Sequence, residues 1–179
     1  MIIIVDNGKG SQEISQFLRV RNEVATPKEA LTEGACAYII SDGVLKKDSQ
    51  SMCTSIMKNV KEPVLGIGLG AALVAGHYGA KIKEAKPKQP QEFVMLKKPC
   101  PLLLDLKRKF AVMKDSRYCV NDMPENLVEV ASSKSGTEVF IEAAMPHFGV
   151  QFNPELGGDG RVVLNNFAKF VDMWEKYHK

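Results

Sequence analysis

No apolar run in the 179-residue sequence reaches the roughly 18 residues a membrane span requires. The first run, Met1-Ile2-Ile3-Ile4-Val5, is closed by Asp6 and has neither the basic start nor the longer apolar centre of a secretory leader, so none is expected. Cysteine is sparse. Cys36, Cys53, Cys100 and Cys119 form no CxxC pair and match no zinc spacing. Histidine is sparser still: His77, His147 and His178 are scattered, and no metal site or other cofactor is expected. Without an export signal the cysteines read as reduced thiols of a cytoplasmic protein. Charge of one sign is also lacking. Lysine and arginine total 24 against 21 acidic residues, a net +3, too mild to imply nucleic acid. The basic stretches 81–88 and 97–114 have no interleaved aromatic platform and read as solvated faces, or as faces toward an acidic partner. There is no internal repeat and no long linker. A hydrophobic share of 45% and a charged share of 25% are those of an ordinary globular chain, and the length suits one domain over 1–179.

What is present is an alternation of short apolar strands with helices. Met1–Val5 predicts a buried strand. Asp6-Asn7-Gly8-Lys9-Gly10 ends it, and Ser11 is expected to cap a helix carrying Ile14, Phe17 and Leu18 on one face. Glu23–Ala25 reads as a strand, and Pro27 as the start of a short helix ending before Gly34. Ala37–Ile40 is a strand stopping at Ser41-Asp42-Gly43, Asp48–Val60 has helical spacing, and Pro63–Ile67 is a strand followed by a helix from near Gly70. Such alternation implies βαβ units, a parallel sheet and a site beyond the carboxyl ends of the strands. That singles out the loops 6–10, 41–44 and 66–70. The second half reads differently. Shorter, partly antiparallel strands are expected at 81–88, 91–96, 110–114, 127–131 and 138–143, then a buried strand at Gly149–Phe152 and an amphipathic helix over Val162–Trp174. The fold class is thus α/β, mostly parallel and flanked by helices, with a small antiparallel addition.

Pro63-Val64-Leu65-Gly66-Ile67-Gly68-Leu69-Gly70 reads as strand, tight turn and helix, the shape of a nucleophile elbow. Its tip is Gly68, which has no side chain. A dinucleotide-binding GxGxxG motif competes, but Ala71-Ala72 lacks the last glycine and the segment lies mid-chain.

Here the sequence resembles the class I glutamine amidotransferases, and among them the stand-alone glutaminase subunits of archaeal GMP synthetase. The opening Ile2–Gly8 is similar to the start of those subunits, and Ile39-Ile40-Ser41-Asp42-Gly43 to their strand and Ser-Gly-Gly loop. Pro63–Gly70 resembles their Pro-Ile-Leu-Gly-Ile-Cys-Leu-Gly elbow, and Phe148–Glu155 their Tyr-Gly-Val-Gln-Phe-His-Pro-Glu segment. The resemblance implies a flavodoxin-like fold, a synthetase-type partner and a Cys-His-Glu triad. Only Glu155 of that triad remains. Gly68 stands at the cysteine position and Asn153 at the histidine. The family's His-Gln after the elbow is Ala71-Ala72, and its Ser-His-x-Asp stretch falls on Asp115-Ser116-Arg117-Tyr118.

Amide hydrolysis by this route needs a thiolate, which glycine cannot supply, and a base titrating near neutrality, which an asparagine amide is not. Backbone N–H donors at Gly43 and Leu69 are expected to survive as an oxyanion-type pair, since no side chain is needed for them. Cys119 is the best placed of the remaining cysteines to border the pocket; Cys53 reads as core. Glu155 and Asn153 read as groups holding nearby backbone, Asp42 as a turn residue, His77 as a helix C-terminal residue and His147 as a loop surface group. Ser116, Arg117 and Tyr118 are expected at the pocket mouth, where they read an anion or fill the space. The expectation is therefore a catalytically silent amidotransferase-like protein. An active ammonia supplier for GMP synthesis and a small-ligand binding module stand as alternatives.

Overall fold

The computed structural model of the chain describes residues 1–31, 34–85, 90–120 and 122–178. The first half contains β1 (Ile2–Val5), β2 (Gly8–Lys9), α1 (Ser11–Phe17), β3 (Asn22–Ala25), β4 (Ala37–Ile40), β5 (Asp42–Gly43), α2 (Lys47–Asn59), β6 (Val64–Ile67) and α3 (Leu69–His77). The second contains β7 (Ile82–Glu84), β8 (Gln91–Leu96), β9 (Lys109–Met113), β10 (Tyr118–Val120), β11 (Leu127–Ser133), β12 (Gly136–Glu142), β13 (His147–Val150) and α4 (Val162–His178).

The main sheet has nine strands in the order β3-β1-β4-β6-β13-β12-β11-β8-β9. The first five are parallel, and β12, β11, β8 and β9 continue the sheet antiparallel. Every residue of β1, β4, β6 and β13 is buried, as expected of parallel strands covered on both faces. Alternate side chains feed two cores. Ile2, Ile4, Leu65, Ile67, Phe148 and Val150 meet α1 and α4, where Phe167 stands edge-on to Phe148. Ile3, Val5, Tyr38, Ile40 and Val64 meet α2 and α3. Helix α3 lies close on the sheet because residue 70 is glycine: a Cβ there would stand 1.9 Å from the Ile40 carbonyl oxygen. Asn166 of α4, buried, donates to the carbonyls of Leu102 and Leu104 and ties that helix to the 3₁₀ turn Pro101–Leu103.

Some sequence expectations are corrected. Ser11 does not cap α1; it is the first helical residue and buried, and Gly10, at φ +79°, occupies the cap position without a side-chain bond. Residues 27–29 form a single turn closed by the Glu29 N–H on the Thr26 carbonyl, not a helix. Only Ala30 is buried between Thr26 and Leu31, so no apolar stripe holds a helix there. Residues 32 and 33 of that expectation lie outside the described residues, as do 86–89 of the strand expected at 81–88. Strand β13 begins at His147 and ends at Val150. Gln151 leaves the ladder, and its buried amide bonds both the N–H and the carbonyl of Val120 and the carbonyl of Thr137. Among the described residues no helix is long and apolar enough to cross a membrane.

Candidate functional site

The carboxyl ends of β1, β4, β6 and β13 point the same way, and the segments leaving them meet over the amino end of α3. Gly68 forms the elbow between β6 and α3 with φ +54° and ψ −111°, a backbone that L side chains rarely adopt. A Cβ at this position would stand 2.5 Å from Asp42 Oδ1, 2.6 Å from its Cγ and 2.8 Å from Ser116 Oγ. The space directly over the elbow is filled by these two side chains.

Asp42 is the centre of the cluster, and only 1% of it is exposed. Its Oδ1 accepts from the Leu69 N–H at 2.8 Å and from the Ser116 hydroxyl at 2.9 Å. Its Oδ2 accepts from Asn153 Nδ2 at 3.1 Å and lies 3.6 Å from Lys9 Nζ. Asp42 is therefore no solvent turn residue. Its side chain is buried because the short ladder of β2 with β5 turns the chain over the elbow. The expected free donor at Leu69 is corrected likewise: its N–H is already engaged by Asp42. Gly43 lies in that same ladder, opposite Gly8.

Asn153, fully buried, holds three segments at once. Its Oδ1 accepts from the Asp115 N–H at 2.8 Å, while Nδ2 donates to Asp42 and to Glu155 Oε1, the latter at 2.9 Å. Glu155 is buried against this pair, and its Oε2 has no partner among the described residues. Burial, helped by the charge of Asp42 and opposed by the Asn153 bond, pushes its carboxyl up to about 7. Lys9 closes the cluster on the solvent side, bonding the Asp115 carbonyl at 2.7 Å and its carboxylate at 2.6 Å.

The other expected site residues are dispersed. Ala71 and Ala72 are buried within α3. Arg117 is exposed. Half-buried Tyr118 reaches sideways, its hydroxyl accepting from the Leu45 N–H at 3.1 Å, so Ser116 rather than Tyr118 fills the elbow. Cys119 is half-buried in β10, opposite Lys83 of β7. Burial pushes the Cys53 thiol up to about 12 and that of Cys100 up to about 11, and Cys36 accepts a bond from the terminal amine. His77 ends α3, some 12 Å of helix from the elbow at about 1.5 Å per residue. His147 is the clearest reversal: far from being a surface group, it starts β13 at the end remote from the cleft, 1% exposed. Its Nδ1 accepts from the Tyr78 hydroxyl at 2.5 Å, and burial lowers its pKa to about 4. Sequence reasoning misses Lys9, Asp115 and the role of Asp42. The available signal is a carboxylate in a loop that the resemblance makes Ser-Gly-Gly, on a chain whose elbow has lost its side chain. Among the described residues no group of three or more His, Cys, Asp or Glu could hold a metal ion.

A mostly parallel sheet with an elbow at its carboxyl edge and an Asn-Pro-Glu turn beside it defines an amidotransferase-type α/β protein. The glutamine amidotransferase class-I profile matches residues 4–170, and the chain belongs to that family. It is 28% identical over 185 residues to the smaller-chain GMP synthase (glutamine-hydrolyzing) of Pyrococcus abyssi, covering 94% of this chain and 97% of that one. With the corresponding GMP synthase chain of Methanococcus vannielii it shares 27% identity, over 94% and 96% of the two chains. Among solved structures, a glutamine amidotransferase from Thermotoga maritima superposes with a TM-score of 0.72 at 18% identity, over 98% and 84% of the chains.

Proposed function

We propose that this chain is a catalytically silent relative of the GMP synthase glutaminase subunits, one that acts by binding and regulating a synthetase-type partner. The observation that carries the reading is Gly68 in the elbow with Asn153 beside it. In this reading Gly68, Asn153 and Glu155 stand at the positions of nucleophile, base and orienting acid. Glycine brings no thiolate, and the asparagine amide spends both its groups on holding the cluster together. Loss of triad members leaves at most the residual rate that an oxyanion hole and substrate binding provide. Here even that remnant is weakened, because the Leu69 N–H is spent on Asp42. None of the four cysteines lies at a strand-to-helix turn beside a histidine.

The test is glutaminase turnover by the purified chain, alone and with the ATP-pyrophosphatase component of a GMP synthetase. Ammonia release at background in both is expected, and turnover well above background ends the proposal. The likeness to proteins named for glutamine hydrolysis supports a second reading, an active ammonia supplier with relocated chemistry. Labelling with a glutamine-directed alkylating analogue and mapping the peptides separates the two. A modified Cys119 would favour the second reading; no modified cysteine is expected.

A further inference from the structure

We propose that the Asp42 carboxylate is the cleft's own resident ligand: it permanently occupies an anion cradle at the amino end of α3, and its removal opens a site for a free small carboxylate. The cradle is built from four separate segments. Leu69 gives a backbone N–H from the first turn of α3, Ser116 a hydroxyl, Asn153 a side-chain amide and Lys9 an ammonium. The three neutral donors are buried and lie 27, 74 and 111 residues from Asp42 in sequence. Convergence of distant donors on one charged acceptor is how proteins hold an anion out of water, since an unpaired buried carboxylate is strongly unfavourable. The amino end of a helix adds its partial positive charge.

A second observation points the same way. At the wall of the cradle Glu155 Oε2, on a residue only 7% exposed, is left without a partner among the described residues. The polar lining is therefore larger than Asp42 alone satisfies. The glycine at 68 completes the argument, because only a residue without Cβ leaves Asp42 Oδ1 and Cγ their places. Residue 42 has taken the volume that residue 68 released. The inference deepens the function proposed above and rests on it for the identity of the cleft. Its test reads anion binding and not glutamine turnover, so either can fail alone.

The experiment compares wild type, Asp42→Gly and Asp42→Asn in thermal melts with sodium formate, sodium acetate and equal sodium chloride. Asp42→Gly should melt several degrees lower than wild type. Formate at about 100 mM should then return roughly 3 °C saturably, because a ligand that binds only the native state raises its melting temperature. Wild type and Asp42→Asn, whose cradles stay filled, should not respond beyond chloride. In Asp42→Gly the Leu69 amide resonance should move with formate. Equal formate response in wild type and Asp42→Gly, or none in Asp42→Gly, overturns the proposal. If Asp42→Gly does not fold, hydrogen exchange in wild type decides: the Leu69 amide should exchange at least 100-fold more slowly than its intrinsic rate (a figure set by the roughly 3 kcal/mol a charge-assisted bond reaches), and exchange near the intrinsic rate overturns the proposal.

Discussion

Gly68 and Asp42 form one steric unit. The elbow backbone at φ +54° tolerates glycine best, and the volume a side chain would enter already holds the Asp42 carboxyl and the Ser116 hydroxyl. Restoring a cysteine by Gly68→Cys should therefore yield no glutaminase. It should cost about 2–5 kcal/mol of stability, from backbone strain and overpacking together. In an Asp42→Gly background the same change should cost clearly less, because its main obstruction is gone. Urea denaturation of the two single variants and the double measures the coupling, expected at about 1 kcal/mol or more. Strict additivity would mean that residues 42 and 68 do not share the space. The loss of a thiol and an imidazole is legible in the sequence, since Gly68 and Asn153 stand in motifs whose pattern is specific. The engagement of Asp42 is not. Asp before Gly is a common turn signal, and only three-dimensional contact separates a turn aspartate from a buried acceptor. His147 misleads for a similar reason: Pro146 suggests a loop, while the strand that follows begins at once and buries the imidazole.

The elements differ in how clearly the sequence announces them. Parallel strands are continuous apolar runs bounded by turns, and β1, β4 and β6 are visible as such. Strands β2, β5 and β10 hold two or three residues each and carry no period at all, yet β2 and β5 bring Lys9 and Asp42 to the cleft. The antiparallel extension carries another buried charge cluster. Glu138 of β12, fully buried, bonds Lys114 Nζ and the Ser133 hydroxyl, and Lys114 also meets Glu92 of β8 at 3.4 Å. Burial raises the Glu138 pKa, with Lys114 opposing the shift. Lys114→Met strands that carboxylate, so a loss of about 3–5 kcal/mol is expected at pH 8. The loss should shrink toward pH 5, where Glu138 takes up a proton. Adding Glu138→Leu should recover much of the stability. A pH-independent loss, or a double variant no better than the single, would contradict an ion pair as the cause. By contrast Asp115→Ala removes an ion pair whose carboxylate is mostly exposed, and it should change stability by less than about 1 kcal/mol.

At the scale of the whole molecule, two buried titratable groups at opposite ends of the sheet act with opposite sign. Glu155 faces Asp42, Asn153 and Lys9, and its carboxyl titrates near 7 in the folded chain instead of 4.5. The native state then holds a proton that the unfolded chain has released. Stability from this group is full below pH 4.5 and is lost as pH rises through 7. His147 faces Tyr78, Glu142 and His77, and its pKa falls from 6.5 to about 4. Here the unfolded chain binds the proton first, so the stability present above pH 6.5 is lost as pH falls toward 4. Each effect amounts to on the order of 3 kcal/mol, with a slope of about 1.4 kcal/mol per pH unit. Between pH 4.5 and 6.5 the two slopes cancel, and single variants should unmask them. Glu155→Gln keeps an acceptor for Asn153 but cannot ionise. Its stability relative to wild type should rise by roughly 2–3 kcal/mol from about pH 4.5 to 7.5. His147→Gln should fall relative to wild type by a similar amount from about pH 4 to 6.5. Urea denaturation at intervals of about one pH unit reads both differences directly, and groups common to all three proteins drop out of them. Profiles that run parallel to wild type would show that neither group titrates away from its ordinary range. A divergence of Glu155→Gln alone would place the proton on the cleft carboxylate and leave the far end of β13 out of the balance.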